Sequence, residues 1–325
     1  MASLSSFRGR ISNSQERVGV IIMDMRDAVF GEIITSARKD TNVVLIVADA
    51  DAFGIRQFKE EFSSRFFNVG VAEQNMINVA CGLALSGKKV FICALAPFAT
   101  YRCFEQIKAN MCSMRLPVFI IGLGIGLSFG FDGPTHHTTC DIGVMSNVPE
   151  LSIYNPSDDI SAANCVRSAY ARGLPSYIRV DKGDKGSFYN NKTDFTNGFC
   201  VLSESEKFCE DDVIISTGIC TQYAMSYKHG LKIIDMFRIK PIEKNALLRE
   251  LEGFKRIITY EEHVSNTGLG SIIANLIAEE GLGISLKKIA LPEEQCFING
   301  NREYLHKRYK IDPRYVGKAW TGYSI

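Results

Sequence analysis

The 325-residue chain has almost no net charge. Its 37 Lys and Arg stand against 36 acidic residues, a formal +1, which gives no footing on a nucleic-acid backbone or an anionic membrane. Ten cysteines are scattered without one Cys-x-x-Cys pair, so neither a zinc site nor a dithiol redox centre is expected. They read as small core residues of a reducing compartment. No apolar run reaches membrane-spanning length. The N-terminus is polar through Arg17, and the VGVIIM that follows is too short and wrongly flanked for a signal peptide. A cytoplasmic protein is expected. The dinucleotide glycine spacing is lacking too. Gly122, Gly124 and Gly126 follow a strand-like run, but the third position of the fingerprint holds Leu127. Turn chemistry from Phe129 to Pro134 replaces a helix start, which argues against a nicotinamide oxidoreductase.

What is present describes a globular protein of two domains: enough length for two cores, with 46% hydrophobic and 22% charged residues. Continuous apolar runs alternate with helical patterns. Strands are expected at 42–49, 89–93, 117–122, 151–154 and 176–180, with helices at 25–37, 71–86, 102–114 and 158–172. The alternation resumes with strands at 212–218, 231–236, 256–262 and 285–291 and helices at 242–252 and 270–280. The fold class is α/β, with two domains that each hold a mostly parallel sheet flanked by helices. The expected boundaries are a loose tail at 1–17, a first domain at 18–183, a polar linker at 184–197 and a second domain at 198–325. The first helix after Gly218 has to be short, because few residues separate Thr217 from Leu231.

One stretch organises the rest. FFNVGVAEQNMINVACGLALSG, residues 66–87, sets Glu73 between a short strand ending at Val69 and a helix of small residues. Gly70 supplies the sharp turn. Alone, Glu73 is explained by the positive end of the helix dipole. Phe98, Tyr101 and Phe104 follow; a helical aromatic set is ordinarily core, but Pro97 and Thr100 place Phe98 in a loop where it can present a ring face. A glycine-rich loop then displays Asp132, His136 and His137, and two adjacent histidines on irregular backbone put at least one toward a cleft. Arg179 ends a strand, where ligands collect in open α/β sheets. It suits a phosphate or carboxylate, with a salt bridge to a neighbouring Asp as the alternative.

Taken together, NVGVAEQNM, PFATYRCFEQI, DGPTHH, PELSIYNPSDD, PSYIRV and, more weakly, TYEEHVSNTGLGS resemble the pyrimidine-binding and C-terminal domains of the transketolase family, over roughly residues 20 to 320. The resemblance implies a thiamine diphosphate enzyme that transfers a two-carbon ketol unit from a ketose to an aldose. Glu73 would share a proton with N1′ of the aminopyrimidine, the step that activates the cofactor for carbon–carbon cleavage. Phe98, Tyr101 and Phe104 fall where the family stacks aromatics on that ring, and Asp49 matches an aspartate near the cofactor. His136 matches a substrate-contacting, proton-shuttling histidine, with Asp132 in the same motif. Arg26 and Arg179 match arginines that grip substrate phosphate.

The family's Gly-Asp-Gly motif, which holds the diphosphate through Mg²⁺, does not occur in this sequence. The resemblance therefore implies the C-terminal subunit of a split transketolase. A separate N-terminal subunit would hold Mg²⁺ and complete an α2β2 assembly acting on sugar or sugar-phosphate substrates. Three departures point to an unusual donor. Gly124 stands where a second histidine is common, Phe53 where a phosphate-binding serine is expected, and the helix after Gly218 is short. Alternatives are the beta subunit of a 2-oxo acid dehydrogenase, a 1-deoxyxylulose-5-phosphate synthase-like enzyme, and an inactive interaction subunit.

Overall fold

A computed structural model describes residues 24–183, 186–190, 192–203, 211–226, 231–312 and 314; the tail expected at 1–17 lies outside them. In chain order the first half contains α1 (Met25–Lys39), β1 (Val43–Val47), α2 (Phe53–Glu61), β2 (Phe66–Asn68), α3 (Glu73–Leu85) and β3 (Lys89–Leu95). There follow α4 (Ala96–Thr100), α5 (Phe104–Gln106), β4 (Val118–Leu123), α6 (Asp141–Ser146), β5 (Ser152–Tyr154), α7 (Asp159–Arg172) and β6 (Ser176–Val180). The second half runs β7 (Cys200–Ser203), β8 (Asp212–Ser216), α8 (Ile219–Ser226), β9 (Lys232–Asp235), β10 (Arg238–Lys240) and α9 (Lys244–Leu251). It closes with β11 (Arg256–Val264), α10 (Leu269–Glu279), β12 (Ser285–Leu291) and α11 (Arg302–Arg308).

Two sheets result, each mostly parallel and flanked by helices. The first has the order β10-β5-β6-β4-β3-β1-β2 and the second β12-β11-β8-β9-β7. β1 is VVLIV and buried along its whole length, the composition of a strand covered on both faces. On one face Phe30, Phe58 and Phe119 pack α1 and α2 against the sheet. On the other, Met76, Ile77 and Ala80 of α3 join a core that runs on into Ile215, Leu247 and Ile273 of the second half. Each large apolar side chain fully buried there contributes about 1.5–3 kcal/mol.

Helix ends follow local chemistry. Asp24 caps α1 by accepting the Arg26 N–H. Asp158 and Ser161 form a capping box on α7, which stops at Gly173 in the left-handed region, φ 61°.

Several expectations change. The helix foreseen at 102–114 is broken: α4 starts at Ala96 on the heels of β3, a turn intervenes, and Ile107–Cys112 winds as a π-helix. Phe98 is accordingly on a short helix, not in a loop. Pro97 explains the early start, since its fixed φ and missing N–H suit a first turn. The helices α2, α6 and α11 and the strands β7 and β10 are additional to the expected elements, each short or dependent on a distant partner. β10 is the clearest case: it leaves the second half and pairs antiparallel with β5, Arg238 opposite Tyr154.

The polar 184–197 segment, in its described residues, is pinned rather than slack. Asp158 Oδ2 accepts the backbone N–H of Phe188 and of Tyr189, each at 3.0 Å. Tyr189 donates its hydroxyl to Asp235 at 2.7 Å, where Ser157 and Thr221 also donate. Burial raises the Asp235 pKa to about 7 against those three hydroxyl donors. Nearby, Arg302 joins the halves by bridging Asp181 and Glu262 at 2.5 Å each.

Candidate active site

The carboxyl ends of β1, β2 and β3 meet at one cavity of about 400 Å³. Asn68 ties two of these ends together: its Oδ1 accepts the N–H of Asp49 at 3.2 Å and of Gly70 at 3.0 Å. Gly70 takes φ +72°, and Asp49 is itself left-handed at φ +50°, a conformation that Asp tolerates better than most residues. The turn delivers Glu73 as the first residue of α3, with only 3% of its surface exposed. The helix dipole favours a carboxylate there but does not require burying one. Its Oε2 accepts Arg102 Nη1 at 2.6 Å.

Phe98 lies half-buried beside it. The Phe98 ring meets His136 edge-on, centroids 5.4 Å apart, and His136 meets Phe129 at 6.2 Å. Thr135 Oγ1 is 3.0 Å from His136 Nδ1. The adjacent His137 is buried, and burial lowers its pKa. His136 is half-buried against two aromatic rings, and His137 packs inside.

Of the expected residues, Arg26, Asp49, Glu73 and Phe98 line this cavity, and His136 meets the Phe98 ring edge-on without lining it. Arg26 grips Asp24 through Nε at 3.0 Å and Nη2 at 2.8 Å, and Asp24 also accepts the Gly183 N–H. Tyr101, Phe104, Asp132 and Arg179 are elsewhere. Tyr101 accepts the Cys140 N–H at 3.1 Å, Phe104 packs against the core, and Asp132 is exposed on its loop.

Arg179 is only 2% exposed. It holds Asp141 through Nε at 2.7 Å and Nη2 at 3.0 Å, and the Thr138 carbonyl at 3.2 Å. Burial opposes its charge, but Asp141 outweighs that and raises the Arg179 pKa. The salt-bridge alternative is the one the fold takes, with a partner 38 residues upstream.

Three residues absent from the sequence reading complete the site. Lys182 lines the cavity with its Nζ 5.3 Å from the Phe129 ring centroid. Phe129 forms a wall, and Arg102 covers Glu73. Lys182 follows Arg179 past the end of β6, and that position was its only available signal. Wider depressions exist among the described residues, including a groove of about 990 Å³ beside α1 and α7; the cavity of about 400 Å³ brings together a buried carboxylate, an aromatic ring face and cations. Among the described residues no group of three or more His, Cys, Asp or Glu could hold a metal ion, and no helix is long and apolar enough to cross a membrane.

Both halves of the chain are similar to known proteins. Residues 22–186 match the family described as transketolase, pyrimidine binding domain, and 207–316 the transketolase C-terminal domain. An apulose-4-phosphate transketolase subunit of Actinobacillus succinogenes is 31% identical over 288 residues, 86% of this chain and 91% of that protein. The 1-deoxy-D-xylulose-5-phosphate synthase of Halothermothrix orenii is 31% identical over 87% of this chain, which spans 46% of that enzyme. A solved structure named split gene transketolase, inactive beta4 tetramer, superposes with a TM-score of 0.79 at 27% identity, covering 92% of this chain and 97% of that one.

Proposed function

The chain belongs to the transketolase family, and from that premise we propose that it is the C-terminal subunit of a split thiamine diphosphate-dependent transketolase. With an N-terminal partner subunit that holds Mg²⁺ and the diphosphate, as a cytoplasmic α2β2 assembly, it moves a two-carbon ketol unit from a ketose or ketose phosphate to an aldose. The observation that carries this reading is the buried Glu73 carboxylate beside the Phe98 ring on a cavity of about 400 Å³. A flat heterocycle with hydrogen-bond donors on its edge fits a carboxylate and a ring face set side by side.

Bound there, thiamine diphosphate supplies a nucleophilic carbon and an electron sink. The chain's own groups do the rest. Glu73 holds a proton against the ring nitrogen in a site screened from water, where one hydrogen bond governs which tautomer persists. Phe98 sets the plane of the ring. With Nδ1 of His136 beside Thr135, Nε2 is the atom left to carry a proton to or from a substrate oxygen. Arg26 and Lys182 draw the anionic end of a substrate, and Leu95, Leu123 and Phe129 exclude water.

The test is reconstitution with the N-terminal subunit and an assay of ketose donors. The name of the Actinobacillus relative puts ketose phosphates such as apulose 4-phosphate first. Glu73→Gln should lower turnover by about 10²-fold or more. If the complex binds thiamine diphosphate equally well with Glu73→Ala and neither form turns over, the subunit is an inactive one. The synthase relative favours a second reading, in which pyruvate is decarboxylated onto an aldehyde phosphate. Carbon dioxide release from pyruvate, in place of ketose consumption, would select it or the related 2-oxo acid dehydrogenase beta subunit.

A further inference from the structure

Arg102 touches both surfaces that give the site its character. Its Nη1 donates to Glu73 Oε2 at 2.6 Å, and its guanidinium carbon lies 4.4 Å from the centroid of the Phe98 ring. A guanidinium is planar, carries N–H groups on its edge and stacks on aromatic faces. Those are the properties by which an aminopyrimidine ring would engage the same carboxylate and the same ring face. The two occupants exclude each other.

We propose that Arg102 is a stopper of the aminopyrimidine site, filling the place of the ring until cofactor displaces it. The inference rests on the functional reading above and adds a loading step to it. Loading needs only a side-chain rotation. The Arg102 carbonyl is fixed by Gln74 Nε2 at 3.0 Å, and the Cys103 thiol bonds the Phe98 carbonyl at 3.3 Å, so the backbone stays put. The Arg102 side chain is 43% exposed against 3% for Glu73, so the cation has a path to water that the carboxylate lacks. Glu73 is its only carboxylate partner among the described residues.

The stopper answers a physical problem of the unloaded site. A buried carboxylate with no partner is costly, and Arg102 satisfies it until an incoming ring takes over the hydrogen bond. The exchange swaps one bond and one stack for another, so it runs near balance and is open to bias by salt.

The experiment uses the full-length chain and 4-amino-5-hydroxymethyl-2-methylpyrimidine, the uncharged ring half of the cofactor, titrated by calorimetry. Arg102→Leu should bind this fragment roughly five-fold tighter than wild type, the scale of releasing a half-exposed ion pair. Arg102→Lys, which keeps the charge but loses the plane, should fall between them. Raising salt should tighten the fragment on wild type by screening the pair and leave Arg102→Leu unchanged. Thermal unfolding checks that the variants fold, with Arg102→Gln as the substitute if Leu does not.

Equal or weaker binding by both neutral variants overturns the stopper and makes Arg102 part of the ring-binding wall. That result leaves the transketolase reading standing if the reconstituted complex still consumes ketose. Failure of the complex to bind thiamine diphosphate at all would remove the functional reading itself.

Discussion

Gly124 and Phe129 approach so closely that a Cβ on Gly124 would fall 1.9 Å from Cε2 of the Phe129 ring. Gly124 also sits at φ +76°, in the left-handed region. The position where the family resemblance led to the expectation of a second histidine is therefore closed here by the fold, because the aromatic wall occupies that volume. Gly124→Ala should cost about 1–3 kcal/mol from overpacking and loosen the wall formed by Phe129, Lys182 and His136. Differential scanning calorimetry measures the loss. Gly124→His should be at least as damaging, and a gain in ordinary ketose-phosphate turnover by that variant would contradict this account.

Arg179 is a second case of position misleading as to role. Its bidentate pair with Asp141 is fully buried, so removing one partner strands the other. Arg179→Met should cost about 3–5 kcal/mol, while Arg179→Met combined with Asp141→Leu should recover much of it. The KM for a phosphorylated substrate should stay within a factor of about two of wild type in any variant that folds, since uniform binding is unaffected. A large rise in KM with unchanged melting temperature would return Arg179 to the substrate.

Lys182 is the better candidate for an anion contact. Among the described residues its ammonium pairs with no carboxylate, and it lines the cavity over the Phe129 ring. A charged hydrogen bond to phosphate is worth about 1.5–3 kcal/mol, so Lys182→Met should raise KM for a ketose phosphate by roughly ten-fold or more. The unphosphorylated ketose should be affected far less. Steady-state kinetics on both donors make the comparison.

Stability should carry a pH signature from the pinned segment. Asp235 titrates near 7 in the fold, raised by burial, against about 3.9 in an unfolded chain. The folded state therefore holds a proton that the unfolded state has lost, and stability from this group falls as pH rises from about 4 through 7. Glu261, also raised to about 7 by burial, acts in the same direction. His263, lowered by burial to about 4, and His137, lowered likewise, act oppositely. The readout is thus the difference between Asp235→Asn and wild type in urea midpoints across pH 5–8. The variant should lose less stability on going to high pH, and equal slopes would rule the effect out.

Much was legible without coordinates. Continuous apolar runs marked most of the strands and three- and four-residue apolar spacing most of the helices, since a strand covered on both faces and a helix with one buried face each leave a regular trace. Part of the cavity was legible, because a turn glycine before Glu73 and Phe98 after β3 are local features, whereas Tyr101, Phe104, Asp132 and Arg179 are not brought to it. Arg102 and Lys182 went unremarked because an exposed basic residue has many uses, and only its neighbours in space tell them apart.

The chain by itself determined the α/β class and the placing of Glu73 at a helix start, both consequences of local pattern and side-chain type. Tertiary structure alone decided which residues share a cavity. Asp141 claims Arg179, Phe129 claims the space at Gly124, β10 crosses into the other sheet, and Arg102 lies on Glu73 and Phe98 together. Each depends on a contact between residues distant in sequence or on the free volume around one atom, and neither is written in any single stretch of the chain.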